Sequence, residues 1–342
     1  MKENDRKTIA SVGEYGLIER IKTILPSYGR ADLIVSIGDD TAVIRIDHER
    51  ALLATCDIQI EDSHFSRRTI TAYQLGRRSA AVNLSDIAAM GGTPTFAFVS
   101  LGLPGDYPVD DFDDLMRGIG DELLQYSAVV AGGNLARTDD KMVVDITLLG
   151  QATLARVLTR SGARPGDRIY VSGVLGAAAG GLQVLEEFGP DYPDKFATLV
   201  RAHLQPTPRI PLGRLIADSG VATAMTDISD GLSRDLLNIC RRSNVGAEID
   251  VARLPLPDRA AEPEKIAGRS VLELALNGGE DYELLFTVRR EVPQAEIEVL
   301  AAQTATQITE IGRIVPKEKG CFLIDGEERR KLQAGGWNHF MK

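Results

Sequence analysis

The feature that most constrains this chain is the segment of residues 76–92, GRRSAAVNLSDIAAMGG, which has helical periodicity and very little polar surface. Small and apolar side chains cover three sides of the predicted helix, and a polar line that includes Asn83 and Asp86 covers the fourth. A helix that is apolar nearly all round is buried. Because a buried carboxylate needs a partner, Asp86 either accepts hydrogen bonds from backbone amides or an arginine, or it binds a metal ion.

Length and composition limit the kinds of protein that this helix can belong to. A chain of 342 residues predicts two domains, and we place them at residues 1–152 and 153–342, with the boundary just before the turn-rich segment 160–167. The hydrophobic share of 44% and charged share of 26% are typical of globular proteins. A net charge of −10 argues against a nucleic-acid partner and is compatible with bound divalent cations.

Targeting signals and cysteine or histidine clusters are not evident. The first ten residues lack the apolar core of a signal peptide, and no apolar run is long enough to span a bilayer, so we expect a cytoplasmic protein without a membrane partner. Three cysteines, far apart in sequence, fit neither a disulfide framework nor a zinc site, and the four histidines are isolated.

Strand-like and helical segments are mixed along the chain, which predicts an α/β (α+β) fold. Helices are expected over residues 14–24, 76–92 and 111–126, and strands over residues 33–37, 42–46, 51–55, 95–101, 128–131, 143–150, 168–172 and 282–288. We expect the strand over 128–131 to end at the Gly-Gly-Asn sequence of residues 132–134. The glycine-rich run 173–181 does not match G-x-G-x-x-G, so we interpret it as tight helix packing or a turn that starts a helix.

Acidic residues recur where predicted strands end or helices begin. They are Asp39 with Asp40, Asp57, Asp86, Asp227 with Asp230, and Glu280 with Asp281. Each by itself fits a solvated turn or a helix cap. Together they predict a set of carboxylates for Mg²⁺, which binds through a few carboxylates and substrate phosphates. The chain has no P-loop and no kinase-type catalytic loop, so metals and a few basic groups such as Arg160 would have to neutralise any bound phosphate.

Five sequence motifs together resemble those of the thiamine-monophosphate kinase family. They are SIGDD at 36–40, AVNLSDIAAMG at 81–91, TRSGA at 159–163, DISDGL at 227–232 and GGEDYEL at 278–284. The resemblance runs from residue 13 to the C-terminal GWNHF at 336–340. The family lies in the superfamily of aminoimidazole ribonucleotide synthetase and selenophosphate synthetase; the latter activity is disfavoured because no cysteine precedes Asp39.

The resemblance implies a two-domain aminoimidazole ribonucleotide synthetase-like fold, with an N-terminal mixed sheet that pairs across a homodimer and a C-terminal α/β domain. It implies ATP-dependent, Mg²⁺-assisted phosphorylation of thiamine monophosphate to thiamine diphosphate by in-line transfer. The implied metal positions are Asp40, Thr55, Cys56, Asp57, Asp86, Asp227 and Asp230, of which Asp57, Asp86 and Asp230 are taken as catalytic. The implied nucleotide positions are Gly133, Asn134, Arg160 and Ser229, and the implied substrate positions are His64, Glu280 and Trp337.

Three positions depart from the family pattern. Asn134 stands where the family usually has a metal-binding aspartate, Cys56 stands where it usually has threonine, and the stretch 61–65 around His64 is looser. Asp139 and Asp140 either supply the missing charge through a rearranged loop or form a solvated turn. Two other functions stay open: a different ATP-dependent phosphoryl transfer within the superfamily, and a nucleotide-binding regulatory module that has lost turnover.

Overall fold

Two separate sheets organise the chain, which the computed structural model describes over residues 8–25, 30–257, 265–266 and 269–335. The strands of the first sheet are β1 (Leu33–Val35), β2 (Ala42–Arg45), β3 (Arg50–Ile60), β4 (Thr93–Pro104), β5 (Val129–Thr138) and β6 (Val143–Thr153). Their order is β1-β2-β3-β6-β4-β5, and the β4/β5 pair is parallel while the other pairs are antiparallel. The predicted mixed N-terminal sheet is therefore confirmed.

The second sheet is built from the C-terminal part of the chain. Its strands are β7 (Arg168–Ser172), β8 (Ala222–Asp227), β9 (Val245–Asp250), β12 (Leu284–Val288), β13 (Ile308–Pro316), β14 (Cys321–Asp325) and β15 (Glu328–Lys331). Their order is β15-β14-β9-β13-β7-β12-β8, with only β9 and β14 parallel. A small hairpin, β10 (Lys265–Ile266) and β11 (Arg269–Ser270), lies apart from it.

The described helices accompany both sheets. They are α1 (Ile9–Ile24), α2 (Ala72–Ala89), α3 (Val109–Leu124), α4 (Ala177–Phe188), α5 (Ala197–Leu204), α6 (Ile210–Ser219), α7 (Leu232–Ser243), α8 (Val271–Asn277) and α9 (Gln294–Thr304). Among the described residues, none of the helices has the length and apolar character that crossing a membrane requires.

Helix α2 is buried, as its apolar sequence predicted, and it lies where the two parts of the chain meet. A Thr71–Gln74 capping box starts it. Close backbone contact with α3 is possible because residue 76 is glycine: a Cβ there would lie 2.1 Å from the carbonyl oxygen of Leu115. On its other side, the Ser85 hydroxyl donates to Asp227 Oδ2 of β8 at 2.6 Å. The helix therefore ties the first sheet to the second.

Alternation along β3, β4, β5 and β6 gives the first sheet two different faces. One face packs on α2 and carries Thr55 and Asp57 of β3. The other, which we call the open face, exposes large apolar side chains such as Ile58, Phe96 and Phe98 at 41–49% of their surface. The side chains of consecutive residues on a strand therefore point to opposite faces of the sheet.

Two details of the fold differ from the sequence predictions. The strand predicted to end at Gly132 continues to Thr138, because β5 pairs in parallel with β4 through residue 138. The cysteines are free thiols, as expected without a disulfide framework, but two of them are neighbours despite their separation in sequence. A hydrogen bond from the buried Cys240 thiol lowers the pKa of Cys321 to about 7.

Candidate active site

Three of the predicted acidic residues converge where the two parts of the chain meet. Asp40 lies in the turn between β1 and β2, Asp86 on α2, and Asp227 at the end of β8. One carboxylate oxygen from each lies within 4.8 Å of the other two. Asp86 is the one residue between Arg78 and Met90 that keeps partial exposure, so the cluster opens towards solvent at that point.

Hydrogen bonds hold these carboxylates and leave one oxygen unsatisfied. Asp40 Oδ1 accepts from Arg160 Nη2 at 2.5 Å and from Thr226 Oγ1 at 2.9 Å. Asp40 Oδ2 is buried and accepts no hydrogen bond from the part of the chain that the structure describes. Thr55 Oγ1 donates to Asp86. A buried carboxylate oxygen without a hydrogen-bond partner, in a residue that clusters with two further carboxylates, fits a cation ligand, and hard oxygen donors are what Mg²⁺ prefers.

Burial and mutual repulsion shift the acidities of this cluster. Burial, with the nearby charges of Asp57, Asp227 and Asp40, raises the pKa of Asp86 well above its ordinary value. Burial and the charge of Asp40 raise the pKa of Asp227 to about 7. A bound cation would offset this repulsion and favour the ionised carboxylates.

This repulsion predicts that the metal-free protein becomes less stable as the pH rises. An aspartate whose pKa rises from 3.8 to about 7 on folding costs stability as pH increases through that interval, since the folded state holds the proton more tightly. With chelator present, Tm should fall between pH 5 and pH 8. Asp227→Asn should flatten the fall and be more stable than the parent at pH 8, whereas the exposed-site control Asp139→Asn should follow the parent. A parent Tm that rises over this range would contradict the carboxylate geometry.

A second polar group lies beside the cluster, around Glu280. The Glu280 carboxylate binds the buried Arg78 guanidinium and lies 3.3 Å from His203 Nδ1. Burial alone would raise its pKa, but Arg78 and His203, with a contribution from His64, lower it to about 2. Glu280 is therefore ionised throughout the physiological range, and so low a pKa makes its carboxylate a weak base.

The backbone that presents Glu280 is strained. Glu280 and Tyr282 have φ values of 63° and 50°, which are uncommon for residues other than glycine. Tyr282 connects the two polar groups: burial raises its pKa, and both the Glu280 charge and the Asp57 and Asp227 charges add to that rise. The charges of the Glu280 group and of the acidic residues therefore both act on Tyr282.

Three residues important to this geometry were not singled out from the sequence. Arg78 and His203 bind Glu280, and Asp235 accepts the backbone N–H groups of Asp230 and Gly231, both at 3.2 Å. Asp235 thus fixes the loop that carries Asp230. Its position four residues after Gly231, in the first turn of α7, is the one signal that sequence offered. Asp281 differs from the expected metal set, because it accepts N–H groups of Gly176 and Ala178 at the start of α4.

Comparison with known proteins agrees with these observations. Residues 38–152 match the family "AIR synthase related protein, N-terminal domain" and residues 164–324 match the corresponding C-terminal domain. Thiamine-monophosphate kinase of Escherichia coli K12 is 37% identical over 335 residues, covering 96% of this chain and 98% of the relative. The chain belongs to the thiamine-monophosphate kinase family. The kinase of Aquifex aeolicus is 36% identical, covering 97% of this chain and 99% of its own.

A solved structure of a member of the thiamine-monophosphate kinase family matches the whole fold. It is described as AaThiL complexed with AMPPCP and TMP, and it superposes with a TM-score of 0.85 at 34% identity, covering 98% of this chain and 100% of its own. The two-domain fold inferred from the resemblance is therefore confirmed.

The structure brings together most of the metal positions that the thiamine-monophosphate kinase resemblance implies. Thr55 and Asp57 adjoin the three clustered aspartates, since Thr55 bonds Asp86 and the charge of Asp57 raises the pKa of Asp86. Asp230 lies in the loop between β8 and α7, and its Oδ2 is 4.0 Å from Arg234 Nε. Ser229 lies beside it, and its carbonyl accepts the Glu280 N–H at 2.8 Å.

Other implied positions lie elsewhere. Cys56 and Asn134 are on the open face, and Gly133 is three strands away from Asp57 across the sheet, or roughly 14 Å. None of the three joins the acidic cluster within one chain, because strand alternation and strand order separate them. Their roles stay predictions. Trp337 lies outside the described residues.

Proposed function

We infer that this chain transfers the γ-phosphoryl group of ATP to the phosphate of thiamine monophosphate, which gives thiamine diphosphate. The observation that supports this most is the cluster of Asp40, Asp86 and Asp227, with its unpaired buried oxygen, beside the Glu280 group. The chain belongs to a family whose relatives are named thiamine-monophosphate kinase, which supports thiamine monophosphate as the acceptor. A solved relative in complex with AMPPCP and TMP supports ATP as the donor.

The acidic residues explain how the site would neutralise the negative charges of its two substrates. Donor and acceptor are both polyanions, so Mg²⁺ held by Asp40, Asp57, Asp86 and Asp227, with Asp230 close by, would neutralise the phosphates and stabilise the transferring charge. Thr55 and Ser85 orient Asp86 and Asp227 through their hydroxyls. Arg160 is bound to Asp40 and Thr226, so we assign it to positioning Asp40 as well as to balancing the charge of the bound nucleotide.

The residues around Glu280 are suited to binding the acceptor, thiamine monophosphate. A monophosphate oxygen is already ionised near neutral pH, so the reaction needs no strong general base, and Glu280 is held ionised by Arg78. We assign Glu280 and His64 to the thiamine part of the acceptor, whose thiazolium ring carries a positive charge. Trp337 would add ring stacking. Ser229 and Gly133 remain assigned to the nucleotide.

Acceptor specificity tests this proposal. The protein is incubated with Mg²⁺, ATP and, in separate reactions, thiamine monophosphate, free thiamine or an aminoimidazole ribonucleotide precursor. Thiamine diphosphate formed from the monophosphate alone supports the proposal. Phosphorylation of another acceptor would instead support a different transfer of the superfamily, and nucleotide binding without turnover would support the regulatory module.

We also propose that the open face pairs with a second copy of the chain. Ile58, Phe96, Phe98 and Val129 give it several exposed large apolar side chains, which monomeric proteins rarely expose together. We keep the domain boundary at residue 152, one residue before the end of β6, the last strand of the first sheet. Cytoplasmic location stays a prediction.

Charge placed on the open face should prevent this pairing. Phe98→Glu puts a carboxylate into an apolar interface, so we expect the sedimentation coefficient to change from that of a dimer to that of a monomer at micromolar concentration. Val299→Glu, at an exposed position on α9, is the matched control and should leave the dimer intact. A parent that sediments as a monomer would rule out the pairing.

A further inference from the structure

Two cysteines of the C-terminal part, Cys240 and Cys321, lie next to each other although 81 residues separate them in sequence. We propose that they form a peroxide-reactive pair, in which a hydroperoxide oxidises Cys321 and Cys240 then closes a disulfide with it. Neither thiol belongs to the acidic cluster or to the Glu280 group. The proposal therefore assigns a modification site that does not depend on the proposed function.

A helix and a strand that both adjoin β9 bring the two thiols together. Cys240 lies in the last turn of α7, and β9 follows almost directly, from Val245. Cys321 is the first residue of β14, which pairs in parallel with β9 so that Cys321 lies opposite Ala247. The Cys240 side chain belongs to an apolar core, and the Cys321 side chain packs against that core. At this contact the Cys240 thiol donates a hydrogen bond to the Cys321 sulfur.

The backbone around Cys321 is held close to β9. A Cβ at Gly246 would lie 2.3 Å from the Gly320 carbonyl oxygen, so a larger residue there would force the two backbones apart. Gly320 has a φ of 72°, a conformation that glycine adopts without strain, and it leads directly into Cys321. On the other side, the Leu332 N–H donates to the Cys321 carbonyl at 2.9 Å. These contacts fix the position of the Cys321 thiol beside Cys240.

The surroundings of the two thiols differ, and the difference gives them different roles. Cys321 is partly exposed, whereas Cys240 is 3% exposed. The hydrogen bond from Cys240, a backbone N–H and the Lys331 charge lower the pKa of Cys321 to about 7, although burial opposes its ionisation. The same hydrogen bond and burial raise the pKa of Cys240. Because the thiolate is the reactive form, Cys321 is the thiol that meets the peroxide and Cys240 is the thiol that resolves the product.

The reaction consists of two balanced steps. The Cys321 thiolate attacks the terminal oxygen of the hydroperoxide: a sulfur–oxygen bond forms, the oxygen–oxygen bond breaks, and an alcohol or water leaves with a proton from solvent. The Cys240 sulfur then attacks the Cys321 sulfenic acid, so that the disulfide forms and the sulfenic oxygen leaves as water with the Cys240 proton. The two cysteines together lose two electrons to the peroxide. A small dithiol returns both cysteines to thiols by exchange.

The third cysteine, Cys56, provides an internal comparison. It is exposed on the first sheet, and its thiol donates to Asp145 Oδ1 at 3.2 Å. Burial raises the pKa of Cys56, and the Asp145 charge adds to that rise. Exposure alone predicts that Cys56 is oxidised before Cys321. The proposal predicts the opposite order, with Cys321 reacting at least about tenfold faster near neutral pH, since reactivity follows the thiolate fraction.

Limited oxidation followed by mass spectrometry tests the pair. The full chain is treated with a small excess of hydrogen peroxide near neutral pH, free thiols are alkylated in denaturant, and the masses of the intact chain and of its peptides are measured. We expect a disulfide between Cys240 and Cys321 while Cys56 remains alkylated. Cys240→Ser should stop at a Cys321 sulfenic acid that dimedone traps, and Cys321→Ser should keep both remaining thiols. The matched control Cys56→Ser should form the disulfide at the parental rate.

Every other outcome counts against the proposal. A parent that keeps three alkylated cysteines would overturn the pair, and oxidation of Cys56 ahead of Cys321 would overturn the assignment of the reactive thiol. A disulfide that forms between two chains would contradict the contact of Cys240 with Cys321. Peptide mapping of the parent gives these results without any substitution, so they stand even if a variant does not fold. Turnover is not part of the measurement, and failure here leaves the proposed function unaffected.

Discussion

Asp86→Asn should lower kcat by at least about a hundredfold, and Asp57→Asn should do the same, while both variants stay folded. Each substitution keeps the size of the side chain and removes one charge from the place where the phosphoryl charge is concentrated. Asp86 has a raised pKa because burial and three other aspartates oppose its ionisation, so losing its charge relieves repulsion in the metal-free protein. We therefore expect turnover to fall without a loss of stability.

Initial rates over a range of Mg²⁺ concentrations, with Tm measured in chelator, check this expectation. Asp139→Asn, on the exposed turn after β5, is the charge-matched control and should retain parental rates. If Asp86→Asn and Asp57→Asn both kept near-parental rates at limiting Mg²⁺, the cluster would not hold the catalytic metal.

The second large effect is expected at Glu280. Here the contribution to stability has to be separated from the contribution to acceptor binding. Glu280→Gln leaves the Arg78 guanidinium, 1% exposed, without its counter-charge. Removing one partner of a buried ion pair costs about 3–5 kcal/mol, so we expect a clear drop in the free energy of unfolding. We also expect the KM for thiamine monophosphate to rise roughly tenfold or more, with little change in the KM for ATP.

Glu280→Gln combined with Arg78→Gln removes both charges and should recover most of the lost stability. If Glu280 also contacts the acceptor, the double variant should keep the raised KM for thiamine monophosphate. Recovery of both stability and KM would assign Glu280 a purely structural role. Denaturant unfolding and steady-state kinetics on the same preparations distinguish the two results.

Local patterns in the sequence predicted the acidic cluster, because each of its members stands in a recognisable local pattern. We predicted that Asp86 would be buried, because the helix around it is apolar on nearly every side; its neighbours on α2 are buried, and Asp86 itself keeps partial exposure. Asp40 and Asp227 were predicted from their places beside strands, and both adjoin Asp86 in the structure. The α/β class followed from the mixture of periodicities, although the end of β5 was wrong because parallel pairing with β4 outweighed its glycines.

The remaining parts of the site depend on pairings that no local pattern contains. Arg78 binds Glu280 although 202 residues separate them, and their contact exists only because α2 lies between the two sheets. Asp145 accepts a hydrogen bond from the Cys56 thiol because β6 pairs with β3, although β4 and β5 separate the two strands along the chain. Strand order thus decides which side chains share a face, and sequence spacing does not reveal it.

Phosphorus-31 NMR of one reaction mixture tests the central claim, that the γ-phosphoryl group passes from ATP to thiamine monophosphate. The protein is mixed with ATP, thiamine monophosphate and Mg²⁺, and the spectra are followed over time. The account predicts that ADP and thiamine diphosphate form in equal amounts and that chelation of Mg²⁺ stops both. Formation of AMP, or of ADP with inorganic phosphate and no thiamine diphosphate, would contradict it.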